Sequence, residues 1–214
     1  MSRFLGSSIT KKITMALLGL FLILFLPVHL GINFLLLKSD PEPFNKAAHF
    51  MATFWLIKGF EVLLLASFLL HIFYGIFLQI QNWLARGKQY KITNYSQTSF
   101  FSKFMIWTGL IIIIFLIIHF MNFYFIKIGW VQGDPENFYG VAHQLFKIPA
   151  YIILYIFSFL ILGFHLAHTF WSAFQTLGWN TTVLSPVFKG LGTLFAILIP
   201  LGFTIIPLVI FFTK

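Results

Sequence analysis

The sequence predicts an all-α membrane protein with five transmembrane helices. Of the 214 residues, 59% are hydrophobic and only 9% are charged, and the mean hydropathy is +0.93. A soluble domain usually carries about 25% charged residues. Here the apolar residues come in long runs, which is the pattern of helices that cross a bilayer.

Five apolar runs are each long enough to cross a bilayer, which takes about 20 residues in a helix. The connections between them are short. They are either polar and basic or carry proline, glycine and aspartate, as loops do. No stretch is left for a second domain, so residues 1–214 are expected to form a single membrane domain. The predicted spans cover residues 13–37, 51–84, 104–126, 148–174 and 187–212.

The basic residues fall mainly on one side of this domain. That side carries eight lysines and arginines and no acidic residue, whereas five lysines on the other side are offset by four acidic residues. Cytoplasmic loops carry an excess of basic residues, so the N-terminus is expected in the cytoplasm. The charges are too scattered for a nucleic-acid-binding face, and no nucleic acid is expected as a partner. The eight residues are Arg3, Lys11, Lys12, Arg86, Lys88, Lys91, Lys103 and Lys189.

The chain contains no cysteine. This excludes structural disulfides, cysteine-ligated iron–sulfur clusters and covalently attached c-type haem, which needs paired cysteines. No cleavable signal peptide is expected, because the first apolar run is too long for one and no small-residue cleavage site follows it.

Five of the seven histidines lie inside the predicted spans, where ionisable side chains are rare and usually functional. A helical rise of 1.5 Å per residue gives their depth from the cytoplasmic end. His29 and His119 lie at roughly 24 and 22 Å, and His71 and His165 at roughly 12 and 14 Å. His168 lies at roughly 9 Å. The first four therefore form two pairs at two depths, each pair drawn from two different helices.

Such pairs indicate bis-histidine haem ligation. Neutral imidazoles approach the iron from opposite faces, and the flat macrocycle lies between helices in the core of a bundle. Two levels predict two haems in a bundle of the first four spans. The fifth span has no histidine and is expected only to complete the bundle. The alternative for each single histidine is a hydrogen-bonded structural residue in the core.

Four segments carry a family resemblance: "PVHLGINF", "FNKAAHFM", "EVLLLASFLLHIFYG" and "FHLAHTFWSAFQTLG". In this order and spacing they resemble the di-haem cytochrome b membrane anchor of succinate:quinone oxidoreductases. This is the single-chain, five-helix type found in succinate dehydrogenases and fumarate reductases of menaquinone-using bacteria. The resemblance covers essentially the whole chain.

The resemblance implies two haem b groups, with His29 and His119 as axial ligands of the distal, outer haem and His71 and His165 as those of the proximal, inner haem. The family's fourth-helix ligand stands thirteen residues before a glycine, which here is Gly178 and points to His165. His168 lies about 300° further round the same helix. It is expected to lie next to the ligand and to contact a haem propionate, to tune the haem site or to hydrogen-bond a neighbouring residue.

The resemblance also implies the partners and the location. An FAD-containing flavoprotein and an iron–sulfur protein would dock on the cytoplasmic face of a bacterial inner membrane. Electrons would pass between them and a quinone, expected to be menaquinone, near the outer side. This chain would be the membrane subunit of the respiratory enzyme, supplying both haems and the quinone pocket, and would hold no dicarboxylate site.

Quinone chemistry also needs protons, so an ionisable group is expected near the outer haem. The candidates are His49, Lys58 and Glu61. Lys58 and Glu61 are three residues apart on one helix face and could instead form an ion pair at the membrane boundary. His49 could be an exposed residue at a helix start. His143 is interpreted as interfacial, and Gly75 as a helix-packing position.

Three other functions compete with this interpretation. The cytochrome b of bc-type complexes places two ligand histidines far apart on each of two helices, whereas here only the fourth span has two, three residues apart. A transporter that binds metal ions or relays protons would need carboxylates beside the histidines and broken helices. Glu61 is the only acid within a span, and Pro200 and Pro207 are expected away from the histidines. A structural anchor that has lost its haems would not need all four ligands.

Overall fold

The computed structural model describes residues 8–85 and 104–213, and every regular element in these ranges is a helix. Five of the helices are long and apolar enough to cross a membrane. The prediction of an all-α, multi-pass membrane protein is therefore confirmed. Five of the eight basic residues expected on the cytoplasmic side lie outside the described ranges, namely Arg3, Arg86, Lys88, Lys91 and Lys103.

The long helices follow the predicted spans closely. The first is continued by a 3₁₀ turn at Phe34–Leu37, and the second starts at Trp55 rather than at residue 51 because Phe54 is extended (φ −68°, ψ 122°). In chain order the helices are α1 (Ser8–Asn33), α2 (Glu42–Thr53), α3 (Trp55–Ala85), α4 (Met105–Lys127), α5 (Phe138–Leu145), α6 (Pro149–Thr176) and α7 (Leu184–Phe212).

Two short helices, α2 and α5, lie where the sequence predicts loops. Each begins with a local cap inside the polar segment. The Asp40 carboxylate accepts a hydrogen bond of 2.9 Å from the Glu42 amide, and the Asn137 side chain accepts one of 3.0 Å from the Gly140 amide. Side-chain acceptors of this kind satisfy the unpaired N–H groups at a helix start. The turn residues that predict loops here thus act as helix caps.

The five long helices run alternately up and down. At one end of the bundle, the lower end, the Lys11 ammonium lies 4.9 Å from the ring centre of Phe77, joining the start of α1 to the end of α3. At the opposite, upper end, which carries α2 and α5, Lys127 at the end of α4 bonds to Glu61 near the start of α3. The upper end is the side that the sequence predicts to be outer.

The fifth span, α7, is the most deeply packed helix of the bundle. In its most apolar stretch 44% of residues are buried, against 6% in both α3 and α4. A methyl group on Gly163 of α6 would lie 3.0 Å from the Ala196 carbonyl oxygen and 3.2 Å from Pro200. Small residues allow this close approach between membrane helices. The helix therefore completes the bundle as predicted, and its contact with α6 forms much of the core.

Polar contacts hold the upper end together. The Tyr139 hydroxyl donates to the Lys38 carbonyl at 2.7 Å, and Nε2 of His143 lies 3.0 Å from the Leu36 carbonyl oxygen. The Asn45 amide donates to Asn137 at 3.1 Å. These bonds attach the segment after α1 to α5, so His143 lies in a structural clamp at the boundary of the bundle.

Candidate functional site

The structure brings His29 of α1 and His119 of α4 together at the upper level. Their ring centres are 5.9 Å apart and the rings are nearly perpendicular, at 85°. A metal–imidazole bond is about 2 Å long, so two imidazoles that share one metal have ring centres roughly 6 Å apart. By distance, His29 and His119 could both bind one metal.

Aromatic rings from several helices surround the upper pair. Phe25 stacks on His29 with ring centres 5.0 Å apart, and Phe115 stacks on His119 at 5.7 Å. Phe203 of α7 lies 5.7 Å from His29. The fifth span therefore contributes a site residue, which the sequence interpretation missed. With 30 phenylalanines in the chain, no local signal distinguishes Phe203 from the others.

Helix geometry changes directly after one of the upper histidines. The segment Phe120–Tyr124, which follows His119, is a π-helical turn within α4. Such turns are rare and occur frequently at functional sites. Pro27 lies two residues before His29 and removes one backbone hydrogen bond, but α1 is helical through it.

A buried hydroxyl contacts His119. The Tyr155 side chain of α6 is 2% exposed, and its oxygen accepts a hydrogen bond of 3.1 Å from the Asn122 amide. The same oxygen lies 3.4 Å from Nδ1 of His119. Neither Tyr155 nor Asn122 is a candidate from the sequence. Tyr155 lies ten residues before His165 in α6. Ten helical residues is also the spacing between the two histidine levels, as two glycines at the lower level show below.

At the lower level lie His71 of α3 and His165 of α6, each packed against a glycine of another helix. Nδ1 of His165 lies 3.1 Å from the hydroxyl of Thr108, which donates its own proton to the Met105 carbonyl at 3.0 Å. When the Thr108 proton is on the Met105 carbonyl, the Thr108 oxygen can accept from Nδ1–H of His165. The Nε2 lone pair of His165 is then available to a metal.

Two glycines pack against the lower pair. A methyl group on Gly19 of α1 would lie 3.4 Å from Cε1 of His71, and one on Gly109 of α4 would lie 3.8 Å from Cε1 of His165. Each glycine precedes the upper histidine of its own helix by ten positions, so the two levels are about 15 Å apart. This repeated spacing is the sequence signal that was missed. Gly75 instead faces Met15, which agrees with its interpretation as a helix-packing position.

The surroundings of His71 do not match those of a structural histidine. Its Nδ1 atom is buried and has no hydrogen-bond partner within the described ranges. Buried polar atoms are nearly always hydrogen-bonded, and an exception calls for a functional explanation. A purely structural role therefore accounts poorly for His71.

His168 lies three residues after His165 in α6. The contacts that define the lower level, from Thr108 and Gly109, are made to the ring of His165. The geometry therefore favours His165 as the partner of His71 and leaves His168 as a neighbour.

The three candidates for quinone and proton chemistry gather at the upper end. A cleft of about 200 Å³ is lined by residues that include His49, Lys58, Lys127 and Glu136. The Glu61 carboxylate pairs with Lys127, at 2.5 Å, and not with Lys58 as the alternative interpretation proposed. Both partners are only about a quarter exposed, at 23% and 26%. The pair connects α3 to α4 across the back of the cleft.

Among residues 8–85 and 104–213, no group of three or more histidine, cysteine, aspartate or glutamate side chains is placed to hold a metal ion. A haem needs fewer protein ligands, because the macrocycle supplies four ligands to the iron and two imidazoles complete its coordination. The two histidine pairs meet that requirement. No protein-family model, curated protein or solved structure matched the chain. The chemistry of the two pairs therefore carries the functional conclusion.

Proposed function

We propose that this chain is the di-haem cytochrome b membrane anchor of a succinate:quinone oxidoreductase. The observation that carries the proposal is the contact between His29 and His119, from two helices, with His71 and His165 at a second level about 15 Å further along the same membrane bundle. His29 and His119 are the ligands of the distal haem b, and His71 and His165 those of the proximal one. Haem b supplies a one-electron carrier at each level.

The chain's own residues orient the ligands and exclude water. Thr108 accepts from His165 and fixes the tautomer in which Nε2 presents its lone pair. Phe25, Phe115 and Phe203 wall the upper level with apolar surface. Burial and hydrogen bonding around the ligands are the means by which a protein sets a haem potential.

The upper cleft is the proposed quinone site. His49 and Lys58 line it and can donate hydrogen bonds to a quinone oxygen. Glu61, held by Lys127, is an ionisable group beside the cleft that can exchange a proton with the reduced ring. The resemblance favours menaquinone as the substrate.

The lower end is the proposed docking face for an iron–sulfur subunit, which in turn carries an FAD-containing flavoprotein. Lys11, Lys12 and Lys189 lie at this end, whereas Asp40 and Glu136 lie at the upper end. This charge distribution supports a cytoplasmic lower end, and the resemblance favours a bacterial inner membrane. The chain acts as the membrane subunit of a succinate dehydrogenase or fumarate reductase and holds no dicarboxylate site.

A transporter remains the alternative, and two observations weigh against it. Glu61 is paired with Lys127 and precedes His71 by ten helical residues, so it does not lie beside His71. The fifth span was expected to lie away from the histidines, but its Phe203 contacts His29. Even so, α7 is a continuous helix through Pro200 and Pro207. A midplane transport site would need broken helices and carboxylates at the histidines.

Succinate-dependent haem reduction tests the proposed anchor function. The tagged chain is purified from its native membranes in mild detergent, and flavin, iron and haem are measured in the product. We expect flavin and iron–sulfur subunits to co-purify, and succinate to produce the spectrum of reduced low-spin haem b. A chain that purifies alone, or haem that dithionite reduces and succinate does not, would contradict the proposal.

A further inference from the structure

Helices α4 and α6 support each other's histidines in a reciprocal way. Helix α4 carries His119 at the upper level and Thr108 at the lower level, whereas α6 carries Tyr155 at the upper level and His165 at the lower level. The Tyr155 oxygen lies 3.4 Å from Nδ1 of His119, and the Thr108 oxygen lies 3.1 Å from Nδ1 of His165. Each helix thus brings a histidine to one level and a hydroxyl to the other.

The upper hydroxyl is fixed by its surroundings. Three phenylalanine rings, Phe115, Phe146 and Phe159, meet the Tyr155 ring edge to face, at 5.0, 5.1 and 5.9 Å. The Asn122 amide donates to the Tyr155 oxygen. A hydroxyl has one donor and two acceptor positions, so Tyr155 can either accept from Nδ1–H of His119 or donate to Nδ1, and binding of a metal through Nε2 requires the first.

The polarity of each contact decides what the histidine can do. If Nδ1–H donates to the hydroxyl, Nε2 carries a lone pair and can bind a metal. If the hydroxyl donates instead, Nε2 carries the proton and cannot bind one. At the lower level the Met105 carbonyl already receives the Thr108 proton, which leaves Thr108 as the acceptor.

We infer that Tyr155 and Thr108 are positioning residues for the two haem sites, Tyr155 for His119 and Thr108 for His165. Each oxygen accepts from Nδ1–H, and this bond fixes the ring and the tautomer that offers Nε2 to iron. A hydrogen bond of this kind also raises the basicity of the ligand, which favours ferric over ferrous haem. The inference rests on the proposed function, since it takes both histidines to be haem ligands.

Redox titration of the purified complex tests the inference with the variants Tyr155→Phe and Thr108→Val, which keep the side-chain shape. The readout is the haem absorption of each of the two couples as the potential is changed. Loss of an outer hydrogen-bond partner typically costs 10- to 100-fold in metal binding. We expect one of the two midpoint potentials to rise, and a loss of affinity that is tenfold larger for ferric than for ferrous iron corresponds to 59 mV for a one-electron couple.

The two variants should act on different couples. Tyr139→Phe and Thr193→Val are matched controls, because they remove hydroxyl bonds to the Lys38 and Lys189 carbonyls, at 2.7 and 3.0 Å, away from any ligand histidine. We expect both controls to leave the potentials unchanged. Selective loss of one haem in Tyr155→Phe or Thr108→Val, with two haems in the controls, would also support the inference.

Two haems with unchanged potentials in both variants would overturn the inference and leave the proposed function standing. A shift of the same couple by both variants would overturn it as well. If the unaltered complex contains no haem, the proposed function fails first. These outcomes separate a wrong assignment of the hydroxyls from a wrong assignment of the chain.

Discussion

The second ring nitrogen of each paired histidine meets a different neighbour. At His119 it is the Tyr155 hydroxyl, and at His165 it is the Thr108 hydroxyl. Asn33 approaches Nδ1 of His29 at 3.4 Å and donates to the His29 carbonyl at 2.8 Å. Nδ1 of His71 has no partner within the described ranges. The four ligand positions are therefore chemically distinct, which gives the two proposed haems different environments.

His165 and His168 give a direct comparison at the residue scale. We expect His165→Ala to lose the lower haem, because its ring is the one that meets Thr108 and Gly109. The matched change His168→Ala should retain two haems. A pyridine haemochrome assay on both purified variants counts the haems, and loss of haem from His168→Ala alone would reverse the assignment.

The Glu61–Lys127 pair allows a second test of a single residue. Glu61→Gln leaves the partly buried Lys127 without its counter-ion and should destabilise the protein by about 1–2 kcal/mol, between the values for exposed and buried pairs. The control is Glu42→Gln, which removes the exposed pair with Lys46, whose side chains are 63% and 74% exposed. Thermal unfolding in detergent should show a lower melting temperature for Glu61→Gln only. Equal melting temperatures in the two variants would show that the Glu61–Lys127 pair does not stabilise the protein.

At the scale of helices, the contact between α6 and α7 holds the fifth span in the core. Gly163 allows it, because a side chain there would meet the backbone oxygen of Ala196. Gly31 of α1 is a matched glycine. It lies two residues from His29, as Gly163 does from His165, but it faces open space. The two positions separate the effect of helix packing from that of nearness to a ligand.

Gly163→Ala should lower the free energy of unfolding by about 1–3 kcal/mol through overpacking. Gly31→Ala should be neutral or raise it by up to about 1 kcal/mol, because alanine favours the helix. Melting temperatures of the two variants in the same detergent check this. A Gly163→Ala protein as stable as Gly31→Ala would show that α6 and α7 can separate without cost.

The sequence was sufficient for the positions of the long helices and for the similar depth of His29 and His119, whose rings are in contact. Both depend on features that hold along any helix, namely apolar length and a constant rise. It was not sufficient for the Glu61–Lys127 pair or for Tyr155 beside His119. These join residues that are 66 and 36 positions apart, and their contact depends on how helices rotate and pack. The start of α3 was missed because Phe54 breaks the helix within an apolar run.

At the scale of the whole molecule, the cleft and the two histidine levels follow one another in depth from the upper end to the lower end. The cleft lies beside the end of α4, the upper pair follows within α4, and the lower pair lies about 15 Å further down. This order matches an electron path between a quinone at the upper end and partner subunits at the lower end.

Quinone turnover tests the upper part of this path. Lys58→Met removes a cation from the cleft and should raise KM for a soluble menaquinol analogue several-fold, with two haems retained. Lys46→Met is the matched control, because Lys46 lies on α2 outside the cleft and pairs with Glu42. Steady-state assays of both complexes check this. An unchanged KM in Lys58→Met would place the quinone elsewhere.

The haem content of the purified chain tests the central claim most directly. We expect a pyridine haemochrome assay to give about two haem b per chain for the unaltered protein. His29→Ala and His71→Ala should each give about one, since each removes a ligand from a different pair. A correctly folded, colourless protein, or one whose haem content is the same in both variants and the unaltered chain, would contradict the account.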